Sequence, residues 1–281
     1  MIDELVKAVA SRGPVCVGLD TSVSYIPESM LCEDVTETMF RFNKRIIDAT
    51  KDVCAVYKLQ IAYYEAQGVA GMKAYQKTLK YLHDEKLLSI GDIKRGDIAA
   101  TAKEYAKAHF DGDFGADFIT LNPYMGFDSI VPYESYFERG DKGAFVLLRT
   151  SNPGAKDIEY KMVDGEHLYY HIGDAIEEMG EKYKGTSGYS AIGMVVGGTH
   201  SDEAEEIRKR YPNTFFLIPG YGAQGGKAED IRRYLNDGNG GVVNSSRGII
   251  TRWKKEEDGE VRFDEVTRNA VLEMRRDIRG E

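Results

Sequence analysis

Short apolar runs rich in β-branched and aromatic residues alternate along this chain with longer stretches whose apolar positions recur at helical spacing. The runs suit buried strands. Strands that alternate with helical stretches predict a parallel sheet, because each crossover between parallel strands needs a helix-sized connection. The candidate strands are 15–19 (VCVGL), 54–59 (CAVYKL), 87–92 (LLSIGD), 117–121 (DFITL), 144–148 (AFVLL), 191–196 (AIGMVV), 214–218 (TFFLI) and 241–244 (GVVN). Eight of them predict an α/β fold of the closed (β/α)8, or TIM barrel, type. Residues 34–51 and 97–110 read as helices, and 2–12 as a leading helix that closes the barrel floor.

The stretch 151–190 is too long for a simple connection, and its LYYHIGDAIEEMGEKY portion has helical spacing. An elaborated insertion is therefore expected before the sixth barrel strand. No Pro/Ser-rich linker, composition break or internal repeat divides the chain, so residues 1–281 are expected to form a single domain.

Composition narrows the picture further. With 42% hydrophobic and 30% charged residues the chain is ordinary globular protein. A formal charge of −9 argues against a phosphate-tracking nucleic-acid surface, which needs clustered Lys and Arg, while a local cationic pocket for a small anion remains compatible. No apolar run approaches the roughly 20 residues of a membrane helix. The acidic, amphipathic start MIDELVKAVASRG does not read as an export signal, and Cys16, Cys32 and Cys54 are odd in number with no CxxC. A reduced, cytoplasmic setting is expected.

Candidate chemistry concentrates in SIGDIKRGDIAATAKEYAKAHF. Asp92 and Lys94 are two apart, hence on one face at a strand's carboxyl end, and Asp97 falls where the helical pattern begins, free to aim at a neighbouring subunit. The plainer alternative makes Asp97 a helix cap and Asp92 and Lys94 a solvated ion pair. Parity on other strands weakens it. Cys16, Gly18 and Asp20 share one face of the first strand, and Cys54, Val56 and Lys58 one face of the second. Asp20, Lys58, Asp92 and Lys94 then form an array of alternating sign at the barrel mouth.

Toward the other end, IPGYGAQGGKAEDI places Gly220, Gly222 and Gly225 as G-x-G-x-x-G between a strand and a helix. Too few residues follow to complete a dinucleotide-binding sheet, so the loop is expected to offer backbone N–H groups to a phosphate. Arg247, after the eighth strand in NSSRG, could complete that cradle with its guanidinium. Other features are set aside. His167 and His171 have ligand spacing but no third ligand, His200 lies among the capping candidates Thr199, Ser201 and Asp202, Ser151 lacks a nucleophile elbow, and Cys54 reads as core.

The segments GLD (18–20), YKLQ (57–60), GDIKRGDIAATAKEYA (91–106), RTSNPG (149–154), IPGYGAQGG (218–226) and NSSRGI (244–249) resemble the orotidine 5′-phosphate decarboxylase family, in its longer-chain bacterial subgroup. The likeness spans roughly residues 13 to 250. Thr21 stands where many members carry Pro, and Ala99 where many carry Gly. The resemblance implies a barrel, usually a homodimer, that converts orotidine 5′-phosphate to UMP and CO2 without metal or organic cofactor. It makes Lys94 the proton donor to C6, beside Asp92 and Lys58, with Asp97 reaching in from the partner subunit. Asp20 and Lys58 would bind ribose hydroxyls, Ile98 and Thr101 would contribute from the partner, and Ser151 would contact the pyrimidine. Gln224 and Arg247 would hold the phosphate, with Pro219, Gly220 and Gly222 around the same loop.

The chemistry is coherent on its own terms. Loss of CO2 from an sp2 carbon leaves a poorly conjugated carbanion, for which a positioned ammonium is the remedy, and acids beside Lys94 keep it charged. Repulsion between the substrate carboxylate and Asp92, ~4 kcal/mol at ~4 Å, supplies only about a thousandfold in rate, so most of the acceleration must come from stabilising the developing charge. Two rivals remain at this stage: a related sugar-phosphate decarboxylase or epimerase barrel using magnesium, and a non-enzymatic nucleotide-phosphate-binding barrel. Retention of five charged residues near an anionic ligand argues against the second.

Overall fold

The computed structural model describes residues 1–198, 201–222 and 225–281. Ten strands occur among them in chain order: β1 (Val15–Gly18), β2 (Val56–Gln60), β3 (Ser89–Arg95), β4 (Phe118–Leu121), β5 (Gly143–Arg149), β6 (Met162–Val163), β7 (Glu166–His167), β8 (Ile192–Val196), β9 (Phe216–Pro219) and β10 (Gly241–Ser245). All but β6 and β7 pair in parallel, and β1 pairs with both β2 and β10, which closes a barrel of eight. Every foreseen strand is present. The boundaries shift by a few residues because apolar runs mark burial whereas strand limits follow hydrogen bonding. Thus β3 runs past the apolar stretch to Arg95, which still pairs with Leu121 of β4.

Alternation of side chains sorts the core into two layers. Cys16, Val56, Ile90, Phe118, Phe145, Leu217 and Val242 fill the barrel interior, and Ile2, Leu5, Ala8 and Val9 of the helix Ile2–Arg12 plug its floor, as the sequence pattern predicts. A larger layer lies between the strands and the outer helices. Its closure includes the helix Phe263–Arg279, whose Phe263 ring meets Phe42 of the helix Val35–Thr50 at 5.4 Å. Asp34 starts the latter helix by accepting the Thr36 N–H at 2.7 Å, so the capping rule sets that boundary. Cys54 corrects the parity reading. It precedes β2 and belongs to the outer layer, unlike Val56, because alternation holds only once the strand has begun.

The 151–190 insertion contains the foreseen helix, Leu168–Gly180, and also the small hairpin β6–β7, which periodicity did not reveal. Asp164 and Gly165 both have positive φ, 49° and 89°, as the tight turn of an Asp-Gly hairpin requires. His167 and His171 bond backbone carbonyls of this insertion, Tyr160 O at 3.1 Å and Val163 O at 2.8 Å. Their spacing therefore serves the hairpin. No group of metal-binding side chains occurs among the described residues.

Candidate active site

The carboxyl ends of the barrel strands surround a cavity of about 630 Å3. Asp20, Lys58, Asp92, Lys94, Ser151, Pro219, Gly220 and Arg247, eight of the residues singled out from sequence, line it together. Leu147, Val195 and Leu217 make an apolar wall opposite the charged strand ends.

The charged half is one connected line. Lys58 Nζ lies 3.2 Å from Asp20 Oδ1 and 2.9 Å from Asp92 Oδ2, and Lys94 Nζ lies 2.6 Å from Asp92 Oδ1. Gln60 Nε2 donates to Asp92 Oδ2 at 3.0 Å, and Thr120 Oγ1 donates to Asp92 Oδ1 at 2.9 Å. The Asp92 carboxylate therefore accepts four hydrogen bonds. Burial opposes its charge, yet Lys58 and Lys94 outweigh that penalty and hold its pKa well below the usual carboxylate range. Burial likewise opposes the charge on Lys58, and Asp20 and Asp92 overcome it, raising the lysine pKa. Lys94 is 44% exposed at the mouth, while the side chain of Lys58 is only 4% exposed.

Straight-strand parity places Asp92 and Lys94 on one face, and they do meet, but by another route. Lys94 has φ +46°, and the β3–β4 register shifts between Gly91 and Arg95. A left-handed lysine in a bulge, not an undisturbed pleat, turns the ammonium onto Asp92.

At the opposite rim, β5 ends in Arg149, fully buried, with Nε 2.9 Å from Glu203 and Nη1 3.3 Å from Glu159 of the insertion. Those pairs fix the loop that carries Ser151. Gly197 allows the loop to sit against β8, since a Cβ there would lie 2.8 Å from the Ser151 nitrogen. Gly220 and Gly222 take φ of 109° and 69°, a geometry closed to other residues without strain, and Tyr221 anchors the loop by donating to Asp277 at 2.6 Å. Gly222 and Arg247 also line a second hollow that adjoins the cavity through Tyr221 and Ser245. Gln224 falls outside the described residues, as do Thr199, His200 and the capping side chains beside them.

Asp97, Ile98 and Thr101 do not join this chain's own cavity. Asp97 accepts the Ile98 N–H at 2.8 Å, and the helix Ala99–Phe110 has no side-chain cap, which removes the capping alternative. Ala99 has φ +49°, so an alanine occupies a backbone geometry that suits Gly. Thr21, at the other departure, is fully buried and donates to Asn43 at 2.6 Å.

Sequence reasoning missed Gln60, Thr120, Asn152 and Asn244, all of which line the cavity. Three carried a signal: Gln60 is two residues beyond Lys58, Thr120 two beyond the inward Phe118, and Asn244 two beyond the inward Val242.

Fold and site together define an enzyme barrel with a line of charged strand ends beside a glycine-rich loop at its mouth. Residues 13–260 match the model of the orotidine 5′-phosphate decarboxylase / HUMPS family. The chain is 59% identical over 285 aligned residues to an orotidine 5′-phosphate decarboxylase of Petrotoga mobilis, covering 100% of this chain and 99% of that protein. It is 57% identical to that of Clostridium kluyveri, covering 99% and 97%. The solved structure of Leishmania donovani OMP decarboxylase superposes with a TM-score of 0.78 at 30% identity, covering 99% of this chain and 97% of that one. The chain belongs to the orotidine 5′-phosphate decarboxylase family.

Proposed function

We propose that this protein is a carboxy-lyase that converts orotidine 5′-phosphate to UMP and CO2 in pyrimidine biosynthesis. The observation that carries the reading is the unbroken line Lys94–Asp92–Lys58–Asp20 on the cavity wall of a chain from this family. Lys94 stabilises the carbanion left at C6 and delivers its proton there. Asp92, fixed as an anion, opposes the substrate carboxylate and holds the Lys94 ammonium beside it at 2.6 Å. The neutral CO2 product is better tolerated beside apolar Leu147, Val195 and Leu217 than a carboxylate is.

Asp20 and Lys58 bind the ribose hydroxyls, and Ser151 the pyrimidine. Arg247, Gln224 and the Pro219–Gly220–Gly222 loop hold the phosphate. Asp97, Ile98 and Thr101 act in the partner's cavity of a homodimer. The surface around them supports this: Ile98 is 43% exposed, and Val131, at 51%, lies on the turn Val131–Tyr133 that packs along the helix Ala99–Phe110. The whole chain is one folding unit in the cytoplasm; no helix among the described residues is long and apolar enough to cross a membrane.

Loss of orotidine 5′-phosphate absorbance with purified protein in EDTA tests the reading. Turnover should persist with chelator and be nearly abolished in Lys94→Ala. Activity of that variant within about tenfold of wild type, ~1.4 kcal/mol, would remove Lys94 from the role. Loss of wild-type activity in EDTA would favour the magnesium-dependent barrel instead.

A further inference from the structure

The bulge that turns Lys94 toward Asp92 leaves β3 and β4 out of step. Gly91 pairs with Ile119 and Arg95 with Leu121, so Asp92, Ile93 and Lys94 on β3 face the single residue Thr120 on β4. An uneven interval of this kind strands backbone groups that the ladder would have satisfied. The Lys94 N–H is one of them, and it donates to Thr120 Oγ1 at 2.9 Å. The same hydroxyl donates to Asp92 Oδ1 at 2.9 Å, the oxygen that the Lys94 ammonium approaches to 2.6 Å. Lys94 main chain, Thr120 hydroxyl, Asp92 carboxylate and Lys94 side chain thus form a closed ring, with Thr120 only 1% exposed.

We infer that Thr120 is a positioning residue for the decarboxylation: its hydroxyl clasps the Lys94 bulge to Asp92 and sets where the ammonium sits. A hydroxyl suits this place because it accepts and donates at once, as a ring joining an N–H to a carboxylate requires. The left-handed lysine backbone is strained and persists only where its surroundings hold it. Without the hydroxyl the Lys94 N–H is unpaired and Asp92 loses one of four donors, which frees both groups of the pair. The consequence falls on the chemical step, since ribose and phosphate are held by other residues.

This inference rests on the proposed function, and one set of variants tests both. In Thr120→Val, which keeps the shape and removes the hydroxyl, kcat should fall about ten- to hundredfold while UMP affinity stays within about twofold. Exchange of the UMP C6 hydrogen for deuterium, the reverse of the proton delivery, should slow by a similar factor. Thr120→Ser, which restores the hydroxyl but not the methyl, should recover kcat to within about threefold of wild type. If Thr120→Val does not fold, Thr120→Ala serves in the same comparison. A kcat within about twofold of wild type in the variant without a hydroxyl overturns the inference, as does equal impairment of Thr120→Ser or a parallel loss of UMP affinity. A wild-type protein that leaves orotidine 5′-phosphate intact overturns the proposed function and this inference together, whereas an active wild type matched by Thr120→Val overturns the inference alone.

Discussion

With both carboxylate oxygens occupied by two donors each, Asp92 has no free direction in which to rotate, so its charge stays fixed at the point to which the proposed reaction brings the substrate carboxylate. That rigidity is the single-residue basis of the site, and it relies on donors from three different strands. In the proposed function Arg247 works from the far end of the substrate. Its guanidinium touches nothing that reacts, so its binding energy matters to the rate only as far as phosphate anchoring holds the pyrimidine against Lys94. Arg247→Ala should lower kcat/KM about hundredfold, ~2.7 kcal/mol, in steady-state assays on orotidine 5′-phosphate. The phosphate-free nucleoside should be nearly indifferent to the change.

Among elements, β3 and the helix Ala99–Phe110 that follows it unite chemistry and stability. His109 on that helix is 4% exposed behind the barrel, and Nδ1 has no hydrogen-bond partner among the described residues. Burial, with the nearby Arg95 cation, lowers its pKa to about 4, against about 6.5 for an unfolded imidazole. Between those values the unfolded chain binds the proton and the folded chain does not. Stability is therefore complete above about pH 6.5 and falls on acidification toward pH 4, by on the order of 3 kcal/mol. His109→Phe should flatten the pH dependence of Tm over that window in thermal unfolding. The contribution of Asp92 occupies a separate range: its lowered pKa stabilises the fold above about pH 4 and is lost only below it.

For the molecule as a whole, the proposed homodimer makes each cavity depend on two chains, and subunit mixing tests that directly. Lys94→Ala and Asp97→Asn proteins, each nearly inactive alone, should recover about a quarter of wild-type activity when refolded together, because half the dimers are mixed and each has one intact site. Failure to recover activity, or a monomer by sedimentation, would remove the partner role of Asp97, Ile98 and Thr101. Much of this protein was determined by its sequence alone: eight apolar runs specify eight strands, and the spacing of Asp20, Lys58, Asp92 and Lys94 places charge at their ends, since burial and alternation are local properties of the chain. The bulge at Lys94, the outer placement of Cys54, the Thr120 ring and the four donors on Asp92 were decided only in three dimensions. Each depends on the offset between neighbouring strands, which barrel closure imposes on residues far apart in the chain and which no local pattern records.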